Sequence, residues 1–222
     1  MIVTSHEDME KTNSKTGLWL GEFTDPYYEF IENGYEVDIA SPKGGKPPID
    51  PLSKLTKNIT SSNRKFNSDK KAQAALENTK RLNEVRAEDY TALFFPGGHG
   101  PMWDLANDEK SGRLILDFLN HGKYVGAICH GPSALLKAEE LQPGLLKGRK
   151  MTGFSNIEEK LAFRHNNIPW SLEDRLKEAG AEFHTAAIPY LSHIEKDGLL
   201  ITGQNPMAAR PAAKALIEAL KK

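Results

Sequence analysis

A doubly wound α/β fold, a mostly parallel sheet with helices on both faces, follows from three observations. Two short apolar runs, Thr91–Phe95 and Tyr124–Ile128, have the composition of strands buried on both faces. Each ends in a turn rich in glycine and proline, Pro96-Gly97-Gly98-His99-Gly100 and Cys129-His130-Gly131-Pro132, and each is followed by apolar residues at helical spacing. Near the start, Met1–Thr4 and Tyr35–Ala40 read as strands around a helix that carries Tyr27, Tyr28, Phe30 and Ile31 and stops at Asn33-Gly34. Strand, helix and strand in that length make a βαβ unit, which requires parallel strands.

Segment 46–88 departs from this rhythm. Prolines at 47, 48 and 51 open it, a polar stretch covers 57–71, and the pattern predicts a helix over 72–82. It is too long for a simple connection and reads as an insertion or cap, with a solvated surface excursion as the plain alternative. Beyond the strand at 91–95, Leu105, Leu114, Ile115, Phe118 and Leu119 predict a helix over 104–120. After Cys129 come a helix, a short strand over 151–154, and a helix over 157–163 capped by Ser155-Asn156. A helix over 172–179, strands over 181–183 and 199–202, and a final helix over 207–220 complete the chain.

The 222 residues, 39% of them hydrophobic, suffice for one α/β domain spanning 1–222. A formal net charge of -1 gives no reason to expect a nucleic acid partner. The single cysteine excludes an intramolecular disulfide and fits a reducing compartment. No apolar run is long enough for a bilayer span or a signal sequence, so no membrane partner and a cytoplasmic location are expected.

The chemistry should lie beyond the carboxyl ends of the strands. Cys129 follows a buried strand and precedes a helix start, the arrangement of a nucleophile elbow, in which helix-terminal N–H groups favour a thiolate. A buried structural cysteine is the alternative. His130 is the adjoining base candidate, and Glu158 or Glu159 would orient it. The backbone N–H groups of Gly97, Gly98 and His130 form a candidate oxyanion hole, unless Gly97-Gly98 is only a tight turn. His99 lines the pocket or makes one backbone hydrogen bond. Glu22 lies among Leu18, Trp19, Leu20 and Phe23, where burial would keep it protonated and let it donate to a thiolate; otherwise it complements the helix dipole. His165, His184 and His193 show no metal-ligand spacing, so no metal is expected.

These residues carry a resemblance along essentially the whole chain. Thr4-Ser5-His6, Thr16-Gly17-Leu18-Trp19-Leu20-Gly21-Glu22-Phe23, Ala40-Ser41-Pro42-Lys43-Gly44-Gly45, Phe95-Pro96-Gly97-Gly98-His99-Gly100, Ala127-Ile128-Cys129-His130-Gly131-Pro132, Thr152-Gly153-Phe154 and Ile201-Thr202-Gly203-Gln204-Asn205-Pro206 occur in one order. The sequence resembles the ThiJ/PfpI superfamily, with the flavodoxin-like sandwich of class I glutamine amidotransferases. Within it, the chain is similar to the branch of heat-inducible chaperones that act as glutathione-independent glyoxalase III.

The resemblance implies Cys129 as nucleophile, His130 as its acid/base partner, Glu159 as the orienting carboxylate, Glu22 as the residue bonded to the sulfur, and Gly98 with His130 as oxyanion donors. The Glu158-Glu159 doublet leaves the third member ambiguous by one position. Also implied are a small 2-oxoaldehyde substrate, no cofactor, action on glycated or unfolded proteins, and a homodimer. A holdase chaperone, a cysteine-dependent amidase or peptidase, and a thiol redox sensor are the alternative readings.

Overall fold

The computed structural model describes residues 1–221. In chain order its strands are β1 (Ala40–Ser41), β2 (Lys80–Arg81), β3 (Ala92–Phe95), β4 (Tyr124–Ile128), β5 (Lys150–Met151), β6 (Glu182–Phe183), β7 (Ile194–Asp197) and β8 (Leu200–Gly203). Its helices are α1 (Leu20–Glu32), α2 (Ser61–Ser68), α3 (Lys70–Glu77), α4 (Glu109–Asn120), α5 (Ala134–Leu141), α6 (Asn156–Leu161), α7 (Leu172–Glu178) and α8 (Ala209–Leu220).

The first four residues tie the sheet together without forming a regular strand. Ile2 bridges Ala40 in parallel, Val3 N–H donates to Ala40 O at 2.8 Å, and Ile2 N–H donates to Phe94 O at 2.9 Å. The resulting order is β2, β1, segment 1–4, β3, β4, β8, β7, with only β7 antiparallel to its neighbour. Phe95 pairs with Ala127 and Ile128 with Gly203, so three parallel strands end nearly level. A small parallel pair, β5 with β6, carries Thr152-Gly153-Phe154 toward the same edge.

Helices cover both faces, as the apolar runs require. α1 and α8 pack together on one side, where Phe30, Phe94, Ile128, Ile201 and Leu216 form a core. α4 and α5 pack together on the other, with Phe95, Ile115, Phe118, Ala127 and Leu135. Burying each of these Phe, Ile and Leu side chains contributes about 1.5–3 kcal/mol. A third cluster joins Phe23, Tyr27 and Tyr28 of α1 to Phe66, Ala72 and Leu76 of the insertion.

Several expected boundaries shift for identifiable reasons. The strand expected over 35–40 shrinks to Ala40–Ser41, since Tyr35 and Val37 pack against the α8 side instead. The helix expected over 72–82 spans Lys70–Glu77, because Thr79 N–H bonds Gly45 O and Lys80 N–H bonds Ile39 O along the sheet edge. α2 was hidden by its polar sequence; Thr60 caps it and few of its side chains are buried. α4 begins at Glu109 and not at 104: the Asp104 carboxylate accepts from Thr4 Oγ1, Ser5 N–H and Leu105 N–H, while Asp108 caps the helix. β7 escaped notice because Ile194-Glu195-Lys196-Asp197 is a polar edge strand. Among the described residues no helix is long and apolar enough to cross a membrane.

Candidate active site

Cys129 leaves β4 with φ +56°, a left-handed backbone that a residue bearing a Cβ adopts only at a cost of order 1–3 kcal/mol. Two backbone bonds hold it there: Cys129 N–H donates to Gly203 O at 2.8 Å, and Phe154 N–H donates to Cys129 O at 2.9 Å. The ends of β4, β8 and the segment after β5 therefore impose the strain together. Gly131 follows where a Cβ would stand 2.3 Å from Phe95 O, so only glycine lets the elbow pass under the end of β3.

His130 Nδ1 lies 3.3 Å from the Cys129 sulfur, and its Nε2 lies 2.5 Å from Glu159 Oε1. With the imidazole proton on Nε2 and donated to the carboxylate, Nδ1 is left to accept from the thiol. The turn thus brings the imidazole back onto its own neighbour, which adjacency in sequence alone did not guarantee. Of the two candidate carboxylates, Glu159 meets the imidazole. Glu158 points away and accepts from Ser155 N–H, Ser155 Oγ, Tyr190 N–H and Asn205 Nδ2.

That set of donors makes Glu158 a buried anchor for Tyr190, itself left-handed at φ +63° and packed edge-on against Phe154 at 6.0 Å between ring centroids. Phe154 in turn packs on His130 at 4.8 Å. Replacing Glu158 by alanine should cost about 2–4 kcal/mol, because several buried donors lose their acceptor at once. Urea unfolding of the variant measures this, and an unchanged midpoint would reject the anchoring role.

His99 exceeds its expected part. Its Nε2 lies 3.2 Å from Glu159 Oε2, and its ring packs on that of His130 at 4.0 Å between centroids. Two imidazoles thus share one carboxylate, an arrangement no spacing in the sequence announced. Burial, reinforced by the His99 ring, lowers the His130 imidazole to about 4 despite the opposing pull of Glu159. Burial alone would raise the Glu159 carboxyl, but the two imidazoles hold it well below the usual carboxylate range.

Glu22 reaches the sulfur from the other side, at the start of α1. It is 0% exposed; Oε2 accepts from Gly97 N–H at 2.8 Å, Oε1 has no hydrogen-bond partner among the described residues, and the carboxyl interacts with the Cys129 thiol. Burial pushes its carboxyl up to about 8, against the contrary effects of the Cys129 and Gly97 hydrogen bonds. The carboxyl is therefore protonated at neutral pH, as its apolar surroundings predicted.

Two expectations need correction. Gly97 is no oxyanion donor, since Glu22 occupies its N–H. The Gly98 N–H is instead directed at the sulfur, and neither Gly98 nor His130 gives its N–H to a backbone carbonyl among the described residues. Gly98 sits at φ +89°, where a Cβ would stand 2.1 Å from Gly17 O and 2.6 Å from Trp19 N, leaving no room for a side chain. The thiol is also not a standing thiolate. Cys129 is 4% exposed, and burial, followed by the Glu22 carboxyl, pushes the thiol well above the ordinary cysteine range. A 3₁₀ turn, Gly131–Ser133, precedes α5, so α5 itself begins only at Ala134, several residues beyond the sulfur.

A pocket of about 650 Å³ opens over Cys129, Gly98 and His130. Asp50, Leu52, Leu55 and Ile59 from the insertion form one wall, Trp19 and Asp25 of the α1 region another, and Phe163, Tyr190 and Met207 the rim. Sequence reasoning missed these rim residues, which lie in irregular segments without periodicity.

Residues 16–219 match the DJ-1/PfpI family. The chain belongs to the DJ-1/PfpI family. This DJ-1/PfpI chain is 29% identical to the glutathione-independent glyoxalase HSP31 of Saccharomyces cerevisiae, covering 100% of the chain and 97% of the relative. Among solved structures, the Francisella tularensis Rapid Encystment Protein 24 KDa superposes with a TM-score of 0.92 at 40% identity, covering 99% of this chain and 97% of that one. Glyoxalase III from Candida albicans superposes with a TM-score of 0.88 at 26% identity, covering 98% and 95%. The flavodoxin-like DJ-1/PfpI architecture thus agrees with the doubly wound sheet expected from the sequence.

Proposed function

We propose that this protein is a glutathione-independent glyoxalase that converts methylglyoxal to lactate through Cys129. The observation that carries the reading is the convergence on one sulfur of His130 Nδ1, the buried Glu22 carboxyl and the Gly98 N–H.

As substrate enters, the sulfur attacks the aldehyde carbon and its proton passes to neutral His130 Nδ1. The product is a hemithioacetal whose oxygen the Gly98 and His130 N–H groups receive. Glu22, protonated, donates to the developing negative sulfur, so charge never stands uncompensated in the buried site. Glu159 stays ionised and stabilises the imidazolium. A proton then leaves the former aldehyde carbon, giving an enediol, and a proton returns at the neighbouring carbon. The first carbon is oxidised and the second reduced, leaving a 2-hydroxyacyl thioester. Water cleaves it, releasing lactate and the free thiol. Methylglyoxal plus water equals lactate, so no external electron carrier enters the balance.

The test is lactate formation from methylglyoxal by the purified protein in buffer without glutathione. Turnover is expected, and none above buffer would remove the reading. A second reading, binding of unfolded protein, rests on the apolar rim: Phe163 is 85% exposed, with Leu55, Leu161 and Met207 also exposed around the same mouth.

A further inference from the structure

The pairing of His99 and His130 on Glu159 has a use beyond orienting a base. One ligand atom from each residue lies within 4.8 Å of the others, and all three residues are buried. We propose that His99, His130 and Glu159 form a binding site for a borderline divalent cation of the Zn²⁺ type, entered from the pocket over Cys129, and that its occupation switches the cysteine chemistry off. This regulatory role rests on the glyoxalase reading; the binding site does not.

The donor set suits such a cation: two imidazoles and a carboxylate leave a fourth position for water or substrate. Zinc–nitrogen distances of about 2.0–2.1 Å require ligand atoms roughly 3.3 Å apart, so the side chains close in by up to about 1.5 Å. His99 Nε2 and Glu159 Oε2 are already 3.2 Å apart. The ionised Glu159 carboxylate brings a buried negative charge that a dication offsets inside the protein. His130 also has the outer partner that metal-bound histidines need, since its Nδ1 faces the Cys129 sulfur.

That last contact is why binding would inhibit. With the cation on Nε2, the imidazole proton of His130 must move to Nδ1, the atom that otherwise receives the proton of Cys129. Each imidazole keeps one proton, so nothing is gained or lost; the base is simply turned to its other tautomer. His99 and His130 are adjacent in space only because the Gly98 turn and the elbow end level.

A second histidine pair must be kept apart in the test. His184 Nδ1 and His193 Nε2 lie 3.0 and 2.9 Å from Glu195 Oε1 on the edge strand, where a cation could also collect. The protein carrying His184→Gln and His193→Gln is therefore stripped of metal and titrated with Co²⁺ alone, with visible absorption as the readout and Zn²⁺ as competitor. Saturation at one equivalent and displacement by Zn²⁺ are expected. His99→Phe and His99→Gln, checked by circular dichroism, should each weaken Co²⁺ binding at least tenfold, as should Glu159→Gln. No absorption band, or a band unchanged in these variants, overturns the site.

In the same background one equivalent of Zn²⁺ should lower methylglyoxal turnover at least tenfold, with recovery on chelation; tight binding without inhibition overturns the switch. A protein with no turnover in the absence of metal defeats the glyoxalase reading instead, and the Co²⁺ titration still decides the site.

Discussion

Cys129→Ser should lower kcat/KM for methylglyoxal at least about 10³-fold, equivalent to roughly 4 kcal/mol on the barrier. A serine hydroxyl fills nearly the same space, so the elbow at φ +56° and its bonds to Gly203 and Phe154 remain. What disappears is a group acidic enough for a buried, neutral imidazole to deprotonate at the moment of attack. Steady-state lactate formation measures the loss, and a variant within tenfold of wild type would end the nucleophile assignment. The same variant separates the two readings of the rim, for suppression of client aggregation by Cys129→Ser should match wild type if protein binding is independent of the chemistry.

Glu22→Gln should change how stability depends on pH. The Glu22 carboxyl titrates at about 8 in the folded protein against an ordinary value of 4.5. Between those values the folded state holds a proton that the unfolded state has lost. Stability from this group is therefore intact at low pH and declines as pH rises from about 4.5 through about 8. At about 1.4 kcal/mol per unit, the full decline is about 4–5 kcal/mol. Glutamine has no such titration, yet its carbonyl can accept from Gly97 N–H and its amide can face the sulfur. Urea unfolding at pH 5 and pH 9 should thus show the stability of Glu22→Gln gaining on wild type by several kcal/mol between the two conditions. A constant difference would mean that Glu22 is ionised throughout.

How much of this was readable depended on distance along the chain. The elbow is local: Val125-Gly126-Ala127-Ile128-Cys129-His130-Gly131-Pro132 contains its own strand, turn and helix start, and the structure follows it closely. The approach of Glu22 and Glu159 to that elbow is not local: the residues offered Glu22 and either Glu158 or Glu159 as candidates, and the resemblance singled out Glu159. The sharing of Glu159 by His99 had no sequence signal, because it depends on two turns ending at one height. The expected thiolate failed for a related reason: helix proximity can be read from order, whereas burial beside a carboxyl requires the packed structure. Polar elements such as α2 and β7 were missed because their stability comes from edge pairing and caps rather than from an apolar stripe.

The position of residues 1–4 between β1 and β3 has a consequence for how the protein comes into being. During synthesis residues 1–4 emerge long before Phe94, whose carbonyl Ile2 will engage. They can pair with Ala40 on one side early, but their other side waits while the insertion and the third strand are made, and the sheet cannot close on them from both sides until then. Glu22 and Cys129 consequently meet late, and the bond from Cys129 N–H to Gly203 O forms later still. Reactivity of the cysteine is a late acquisition of the nascent protein, arriving only once residues 1–4 have been taken between β1 and β3.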